Sequence, residues 1–475
     1  MRGSPEASST TNGMRSTRVT GTYRQASSAS TGPASRTSDS ASATEASPPT
    51  NANAKRRRRT TRRAGGNNRA SSPSTHTESG SGRLATRISS IVGTASHYAR
   101  ALRNSTLLLL VCAPVANAQM QIGFYDPVFA APDRAVWLDR AAQAGSTVVR
   151  MDLNWSLVAP QRPADPTNPA DPTYRWANVD AAVADATARG QRVILTVWGA
   201  PPWAEGANRP TDAPIGTWMP NAKALGDFMT AAGRRYAGQV RAWQIWNEPN
   251  LSQHLGPQWR NRRMFAPVRY RQLLNASYTA LKAIDPANVI VTAGTGPYGD
   301  PRPGGNRIMP VRFWRAVLCL DGEKLKPRSC PEPASFDALA HHPYGVRGPR
   351  SHARNDDDVA VPDLARLRRV ERAAVRAKTV RPATRKQLWV TEVSWDSSPP
   401  DPDGVPADQH AQWLTDAMAV LEKQGVNVVT WFRLRDQPPV PNFGATNQSG
   451  LYLVTGEPKP ALQAFMSVRD RLSGR

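Results

Sequence analysis

The stretch that decides the fold runs from residue 222 to residue 249 and reads AKALGDFMTAAGRRYAGQVRAWQIWNEP. Its first part, Ala222–Tyr236, has the apolar spacing of an amphipathic helix, whereas Val240–Trp246 is a short apolar run that indicates a strand buried on both faces. The polar residues Asn247 and Glu248 follow at the carboxyl end of that predicted strand. A helix, a buried strand and a polar strand end form a unit that the chain repeats.

The same alternation runs through most of the chain. The predicted strands are Gln121–Tyr125, Thr147–Asp152, Arg192–Trp198, Val240–Trp246, Val289–Ala293, Asp337–His342, Gln387–Glu392 and Val426–Phe432. The predicted helices are Asp133–Ala144, Ala177–Arg189, Ala222–Tyr236, Pro267–Ile284, Val311–Leu318, Val361–Lys378, Ala407–Gln424 and Pro460–Leu472. This unbroken series of βα units predicts a single closed (β/α)8 barrel, or TIM barrel, over residues 119–475. Two doubly wound domains are the alternative, but no Gly-rich phosphate-binding fingerprint follows the early strands.

Composition narrows the class of protein. The 475 residues are 39% hydrophobic and carry a net charge of +24, and more than half of the basic excess lies before residue 119. A uniformly basic globule is therefore excluded, and the three cysteines are too few for a small disulfide-dense fold. The positive charge that remains after residue 118 either steers acidic polysaccharides to the protein or serves only solubility.

Residues 1–99 are predicted to be a disordered, basic segment rich in Ser, Thr and Ala. Up to Arg83, Val19 and Tyr23 are its only Ile, Leu, Val or aromatic residues, so the segment cannot bury enough apolar surface to offset the entropy of ordering. The basic run Lys55–Arg59 is typical either of a nucleic-acid or nuclear-import patch or of a solvated tail. We favour the solvated tail and expect no nucleic-acid partner.

Residues 100–118 resemble a secretory signal. Two arginines precede the apolar run Leu107–Val115, and Ala116–Ala118 supplies small residues at an A-x-A cleavage site. The run is too short to span a bilayer, so we expect a secreted, extracellular protein without stable membrane insertion. Because such signals stand at the N-terminus, we hypothesise that translation begins near residues 84–95.

The cysteines agree with export. Cleavage after the signal-like segment removes Cys112 and leaves Cys319 and Cys330. A disulfide between these two is expected in an exported chain, and two unpaired thiols are the alternative.

Two carboxylates stand at strand ends that a barrel brings together. Glu248 follows the fourth predicted strand, and Glu392 ends the seventh. The carboxyl ends of the strands form the mouth of such a barrel, where the active site is built, and strands four and seven face each other across it. Cleavage of a glycosidic bond needs two opposed carboxylates, one to protonate the leaving oxygen and one to attack or stabilise an oxocarbenium-like centre.

The residues at these strand ends resemble glycoside hydrolase clan A, and the pattern is closer to families 39 and 5 together than to either alone. Asn247-Glu248-Pro249 after strand four and Thr391-Glu392 at the end of strand seven carry the resemblance, which covers essentially all of the predicted barrel. It implies a retaining glycosidase with a carbohydrate substrate. Together with the signal-like segment, it predicts a secreted retaining glycosidase that cleaves β-glycosidic bonds. By this resemblance, Glu248 is the acid/base, Glu392 is the nucleophile, and Asn247 hydrogen-bonds the sugar 2-hydroxyl.

Other strand ends extend the resemblance. His342 and Tyr344 are similar to the His-x-Tyr motif of clan members, so His342 is expected to line the site and Tyr344 to orient the nucleophile. Arg150 is similar to the clan arginine that supports the nucleophile, and Trp431 is similar to the aromatic floor beneath the sugar. Each of these side chains also fits a purely structural role, as a core residue or an ion-pair partner.

Aromatic side chains are further candidates because the C–H faces of sugar rings stack on aromatic rings. Trp198, Trp203 and Trp395 lie near predicted strand ends, with packing of helices onto strands as the alternative. Cellulase-like members of family 5 often carry a His on strand three, where this chain has Trp198, and this weakens assignment as a cellulase. Asp152 has no assigned role, and His341 is expected in the core.

The chemistry of clan A needs no metal, and we expect neither a metal nor a cofactor. A non-catalytic carbohydrate-binding barrel is the alternative function, although the presence of both carboxylates favours an enzyme. In a retaining enzyme the carboxyl groups are expected to lie about 5–5.5 Å apart. We also expect Glu248 to have the higher pKa of the two, Arg150 to keep Glu392 ionised, and the protein to be a monomer.

Overall fold

A computed structural model gives the protein's structure over residues 119–439 and 446–474. Eight parallel strands form a closed barrel, in which neighbours in sequence are neighbours in the sheet and the last strand pairs with the first. The strands are β1 (Gln121–Tyr125), β2 (Val148–Asn154), β3 (Arg192–Trp198), β4 (Ala242–Ile245), β5 (Val289–Thr292), β6 (Ala338–His341), β7 (Gln387–Val390) and β8 (Val428–Phe432). The predicted (β/α)8 barrel is confirmed.

A helix follows each barrel strand. The helices are α1 (Arg134–Gln143), α2 (Ala177–Ala188), α3 (Ala222–Arg235), α4 (Ala266–Ile284), α5 (Pro310–Val317), α6 (Leu364–Ala377), α7 (Ala407–Lys423) and α8 (Pro460–Ser473). Common capping residues begin and end these helices. Asn221 caps α3 by accepting a hydrogen bond from the Ala224 N–H, and Gly474 ends α8 with a left-handed backbone.

Strand β4 is the one most shortened relative to its sequence pattern. The pattern predicts Val240–Trp246, whereas β4 ends at Ile245. Trp246 leaves the extended conformation, with a φ of 74°. The apolar run therefore continues past the strand into the turn that leads to Glu248.

The barrel is filled near the amino ends of its strands. Side chains that point inward alternate with side chains that point toward the helices. The inward apolar cluster consists of Val148, Ile194, Ala242, Val291, Ala338, Ala340, Trp389 and Val428. A larger apolar cluster packs the helices onto the outside of the strands. The polar inward residues thus lie above the filled layer, at the mouth.

The connection between α5 and β6 contains the disulfide Cys319–Cys330. This confirms the expected pairing of the two cysteines. Because the connection runs from the end of a helix to the start of a strand, the disulfide lies at the end of the barrel opposite the mouth.

Residues 1–118, which include the predicted disordered tail, the basic run and the signal-like segment, lie outside the described residues. Within residues 119–439 and 446–474, none of the helices combines the length and the hydropathy that crossing a membrane requires.

His410, on α7, makes the barrel sensitive to acid. Its imidazole is buried against the ring of Trp431, with 5.7 Å between ring centroids, and neither ring nitrogen has a hydrogen bond of ordinary geometry. Burial, together with the positive charge of Lys459, lowers the pKa of His410 from 6.5 to about 3. Below its ordinary pKa the unfolded chain binds a proton here that the folded chain does not, so stability falls as the pH drops towards the folded-state value.

We expect His410→Leu to raise the free energy of unfolding, and to raise it more in acid. At about pH 7.5 the gain is about 1 kcal/mol, because an apolar side chain replaces a buried polar ring. At about pH 5 the gain is about 3 kcal/mol, because proton linkage adds to it. Urea unfolding of wild type and variant at both pH values measures the two gains. Equal gains at both pH values would show that His410 does not titrate as inferred.

Candidate active site

The backbone turns sharply where β4 reaches the mouth. Trp246 and Glu248 both have a left-handed backbone, with φ of 74° and 36°, which costs a non-glycine residue about 1–3 kcal/mol. The Trp246 N–H donates to the Val197 carbonyl at 2.7 Å, and the Glu248 N–H donates to the Gly294 carbonyl at 3.0 Å. Hydrogen bonds to the neighbouring strand and loop therefore hold the turn and place the Glu248 side chain in the mouth.

Glu392 lies two residues beyond β7 and is held through both of its oxygens. Nη1 of Arg150 donates to Oε1 at 2.5 Å, and the Tyr344 hydroxyl donates to Oε2 at 2.8 Å. The Arg150 side chain is fully buried, and 4% of the Glu392 side chain is exposed. Hydrogen bonds to an ionised carboxylate are short and strong, so these two donors fix its orientation.

The two carboxylates face each other across the mouth. An oxygen of Glu248, an oxygen of Glu392 and an imidazole nitrogen of His342 all lie within 4.8 Å of one another. Nδ1 of His342 is 3.0 Å from Oε1 of Glu248 and 3.6 Å from Oε1 of Glu392. Carboxyl groups about 5–5.5 Å apart are typical of retaining glycosidases, and about 6.5–9.5 Å of inverting ones. The geometry of this site therefore agrees with retention.

A chain of hydrogen bonds orients His342. Nε2 of Gln244 donates to the Thr292 carbonyl at 3.1 Å and to Oγ1 of Thr391 at 2.9 Å, and that Oγ1 is 3.0 Å from Nε2 of His342. Because Thr391 accepts from Gln244, its own hydroxyl proton is available for Nε2 of His342. This arrangement favours the tautomer in which Nδ1 carries the proton and donates it to Glu248.

Two imidazoles set the acidity of Glu248. Burial raises the pKa of Glu248, but the hydrogen bonds and charge of His254 and His342 lower it more, and the net pKa is well below the ordinary value for a glutamic acid. This direction is opposite to the raised pKa that would keep Glu248 protonated before attack.

Arg150 connects the strand ends. Its Nε donates to Oγ1 of Thr196 at 2.8 Å, and its Nη2 donates to Oδ1 of Asn247 at 2.9 Å. Burial alone would lower the pKa of Arg150, but the charges of Glu392 and its neighbours raise it. Because Asn247 accepts through its oxygen, its amide nitrogen is the donor it can offer to a ligand. The mouth thus brings together the predicted polar residues Asn247, Glu248, Arg150, His342, Tyr344 and Glu392.

Close packing on Gly294 keeps His342 in place. A Cβ atom added to Gly294 would lie 1.9 Å from Nε2 of His342, far inside any allowed contact. We expect Gly294→Ala to displace the imidazole and to lower kcat by about 10–100-fold, with a loss of about 1–3 kcal/mol in stability.

Gly226→Ala is a matched control on α3. The added Cβ would meet Ala276 at 3.3 Å, away from the mouth, so activity should stay within about 2-fold of wild type. Steady-state kinetics and thermal unfolding of both variants test the prediction. Full activity in Gly294→Ala would mean that the position of His342 is not critical.

The comparison with family models decides the family. The model described as Cellulase (glycosyl hydrolase family 5) matches residues 114–431, more than half of the chain. The chain belongs to glycoside hydrolase family 5. Because family 5 is part of clan A, the resemblance to that clan is confirmed. A comparison with curated protein sequences found no match.

Two solved structures similar to the family 5 chain are named as glycoside hydrolases. One is a family 39 glycoside hydrolase from the gut symbiont Bacteroides cellulosilyticus WH2, with a TM-score of 0.53 and 20% identity, covering 75% of this chain and 64% of that chain. Another is a glucosidase from Croceicoccus marinus, with a TM-score of 0.50 and 18% identity, covering 75% of this chain and 67% of that chain. The match thus spans less than two thirds of the family 39 structure. At these identities, the likeness shows the barrel fold.

Trp431 does not form the floor of the site in this family 5 chain, contrary to the expectation. The Thr430 hydroxyl donates inward to the Thr391 carbonyl at 2.7 Å, so the next residue on β8 points outward. Trp431 is fully buried there, and its indole donates to a backbone carbonyl. Phe432 is the next inward residue, is 8% exposed, and stacks on Tyr125 with 5.1 Å between ring centroids. Phe432 is therefore the aromatic residue that β8 presents to the mouth.

The other tryptophan candidates differ in their surroundings. The half-buried Trp198 meets the ring of His254 edge-on at 6.5 Å, close to Glu248. Trp203 packs edge-on against Trp155 at 5.7 Å. Trp395 is 7% exposed and its indole donates to a backbone carbonyl. Trp203 and Trp395 thus fit the packing alternative, whereas Trp198 borders the site.

Three residues at the mouth of the family 5 barrel were not predicted from the sequence: Tyr125, Asp152 and His254. The Tyr125 hydroxyl donates to Oδ2 of Asp152 at 2.9 Å, and the Tyr125 ring lies 4.0 Å from the Arg150 guanidinium. Burial raises the pKa of Asp152. Asp152 shares the inner face of β2 with Arg150 because it is two residues further on, and this spacing is a signal that could have identified it. His254 lies in a loop and carries no such signal.

Glu248, His342 and Glu392 are residue types that ligate metals, and their ligand atoms lie within 4.8 Å of one another. Each carboxylate is already engaged, because His342 is 3.0 Å from Oε1 of Glu248 and Arg150 bonds Oε1 of Glu392. Oε1 of Glu392 lies close to both Arg150 and His342. Because a guanidinium already occupies this oxygen, the three residues form a poor site for a cation and a good one for sharing a proton.

Proposed function

We propose that the protein cleaves O-glycosidic bonds of β configuration in an oligosaccharide or polysaccharide, with Glu392 as the nucleophile and Glu248 as the acid/base. One observation carries the proposal: the two carboxylates lie within 4.8 Å across the mouth, and Arg150 and Tyr344 orient Glu392. A fixed, charge-paired carboxylate suits nucleophilic attack, whereas a carboxyl group flanked by two imidazoles suits general acid–base catalysis.

In the first step, an oxygen of Glu392 attacks the anomeric carbon as the bond from that carbon to the leaving oxygen breaks. Glu248 gives its proton to the leaving oxygen, which departs as an alcohol, and the sugar remains as an ester on Glu392. His342, 3.0 Å from Glu248, holds this carboxyl group in position. A bound sugar excludes water from the mouth, and this desolvation favours the neutral carboxylic acid that the step requires.

In the second step, water attacks the same anomeric carbon from the side of the leaving group. The ionised Glu248 takes one proton from this water, and the water oxygen forms the new bond to carbon as the ester bond to Glu392 breaks. Glu392 leaves as a carboxylate that Arg150 and Tyr344 again stabilise. Two inversions at one carbon give net retention of configuration.

Neighbouring side chains fit the sugar held on Glu392. The amide nitrogen of Asn247 is placed to bond the sugar 2-hydroxyl, since its oxygen is bound by Arg150 at 2.9 Å. Phe432 and Trp198 supply aromatic surface on two sides of the mouth. The sugar on this side is thus contacted by both polar and aromatic groups.

A cavity near Glu248 supports a saccharide as the leaving group. Gly296, which lines this cavity, is a neighbour of Glu248, because a Cβ added to Gly296 would lie 3.5 Å from Oε1 of Glu248. Its volume is about 540 Å³, and its lining includes Leu251, Gln253, Tyr298 and Asp300 from the loops after β4 and β5. Polar groups and space next to the acid residue suit a sugar unit rather than a small alcohol. Cleavage within or near the end of an oligosaccharide is therefore proposed.

Charge at the mouth favours neutral sugars. In the connections that follow the barrel strands, acidic side chains outnumber basic ones. The positive charge of the barrel thus lies mainly on its helices and opposite face, where it does not steer an anionic substrate into the mouth. We therefore propose an uncharged saccharide substrate.

The proposal includes secretion and an extracellular site of action. The signal-like pattern of residues 100–118 and the disulfide Cys319–Cys330 support it. Fractionation of the native host, followed by N-terminal sequencing of the exported form, tests this part. A mature protein that begins near Gln119 is expected, and intact residues 1–83 on the native protein would contradict the proposed start.

The experiment that tests the catalytic proposal combines a substrate screen with product analysis. The purified barrel is incubated with aryl β-glucosides, β-xylosides and β-mannosides and with xylan, glucan and mannan, and reducing ends are measured. Proton NMR during the first minutes then identifies the anomer released. We expect the β anomer first. The α anomer from a β-glycoside would overturn the proposed double displacement.

A further inference from the structure

We propose that His254 is a positioning residue for the acid step and that its imidazole directs Oε2 of Glu248 towards the leaving oxygen. The proposal rests on the proposed function, because it assigns a partner to Glu248 acting as acid/base. His254 lies in the loop after β4, six residues beyond Glu248.

The two oxygens of Glu248 have different surroundings. Oε1 is 3.0 Å from Nδ1 of His342. Oε2 is buried and has no hydrogen bond of ordinary geometry, and Nε2 of His254 lies 3.4 Å from it. Since His342 occupies Oε1, Oε2 is the oxygen that can transfer a proton to a substrate. The side chain beside Oε2 therefore controls the acid step.

The backbone of His254 is anchored while its ring faces the mouth. Its carbonyl accepts from the Trp246 indole at 2.8 Å, and its N–H donates to the Leu251 carbonyl at 3.0 Å. Its imidazole meets the Trp198 ring edge-on at 6.5 Å, and 16% of its side chain is exposed. Catalytic hydrogen bonds are often long in a free enzyme and tighten in its complexes. A small ring movement is enough to turn the 3.4 Å contact into a hydrogen bond.

Nε2 of His254 also has a second neighbour. Nε2 of Gln253 lies 3.2 Å from it, and which group donates depends on the imidazole tautomer. Protonated, Nε2 donates to an ionised Glu248, and unprotonated, it accepts from Gln253. His254 thus suits both forms of Glu248 that the proposed mechanism passes through, the carboxylic acid and the carboxylate.

The test compares leaving groups. A residue that serves proton donation matters when the leaving group is a poor one, and matters little when the leaving group departs without a proton. We measure kcat/KM with 4-methoxyphenyl and 2,4-dinitrophenyl glycosides of the sugar that the wild type cleaves. For His254→Phe we expect a loss of about 10–100-fold with the first and less than about 3-fold with the second. His254→Gln, which keeps a polar amide group, should recover part of the loss.

A double variant separates positioning from general damage. If His254 acts through Glu248, adding His254→Phe to Glu248→Ala should change the rate by less than about 2-fold. His352→Phe changes an exposed side chain that pairs with Asp363 at 2.7 Å; it is the matched control and should leave both rates unchanged. Thermal unfolding shows that each variant is folded.

The outcomes distinguish the two proposals. Equal losses with both leaving groups, or a further loss in the Glu248→Ala background, would overturn the role of His254 and leave Glu248 as the acid. If Glu248→Ala itself shows no dependence on the leaving group, the proposed function fails, and the role of His254 fails with it.

Discussion

Replacing Glu392 by alanine should lower kcat by about 100,000-fold, in the range seen when a hydrolase loses its nucleophile. The methyl group cannot attack the anomeric carbon, and Arg150 and Tyr344 lose the carboxylate on which they converge. Steady-state kinetics on the best substrate of the screen measures the loss. Fold stability is measured in parallel, because Arg150 is left as a buried charge without its partner.

The anomer of the glycosyl azide formed when azide is added shows which of the two carboxylates has been removed. In Glu392→Ala the small anion occupies the space of the carboxylate and attacks from the same side, so a single inversion yields the α-glycosyl azide from a β-glycoside. Glu422→Ala, on the surface of α7 where the side chain pairs with Arg471, is the matched control and should keep full activity. Substantial residual activity in Glu392→Ala without azide would assign the nucleophile elsewhere.

Replacing Glu248 by alanine should give a different pattern. We expect kcat/KM to fall by about 1,000–10,000-fold for a substrate whose leaving group must be protonated, since this is the upper range for general acid catalysis. A 2,4-dinitrophenyl glycoside should lose little in its first step, because its leaving group departs as an anion. Its glycosyl–Glu392 ester should then accumulate, because no base activates water for the second step.

Mass spectrometry of the quenched Glu248→Ala reaction tests for that ester. Azide should also release it as the β-glycosyl azide, since attack on the ester adds a second inversion. The two variants therefore give opposite anomers of the same product. Identical anomers from both would show that the assigned roles of Glu248 and Glu392 are wrong.

Much of the site could be predicted because residues that directly follow a barrel strand lie together at the mouth, however far apart they are in the sequence. Glu248 and Glu392 are far apart along the chain, but each follows a short apolar run, and parallel strands deliver their carboxyl ends to one mouth. The same reasoning places Arg150, His342 and Tyr344 there, and their hydrogen bonds connect the two carboxylates.

Three properties of the site could not be predicted from the residues at the strand ends. Trp431 and Phe432 are adjacent, and only the inward position of Thr430 decides which of them faces the mouth. His254 reaches Glu248 because a turn brings its loop back over β4, anchored by the Trp246 indole at 2.8 Å. The low pKa of Glu248 depends on having an imidazole at each oxygen, so the sequence could not reveal its direction.

The apolar layer that includes Trp389 fills the barrel near the amino ends of its strands. This layer closes one end of the barrel to substrate and product. Nothing can pass along the barrel axis, so the saccharide arrives and both fragments depart through a single opening. The fragment released first has to vacate the cavity beside Glu248 before water can reach the ester, and a slow departure would favour transfer of the sugar back to an alcohol. If the proposed function holds, we expect transglycosylation at high saccharide concentration to depend on this apolar layer as well as on the two carboxylates above it.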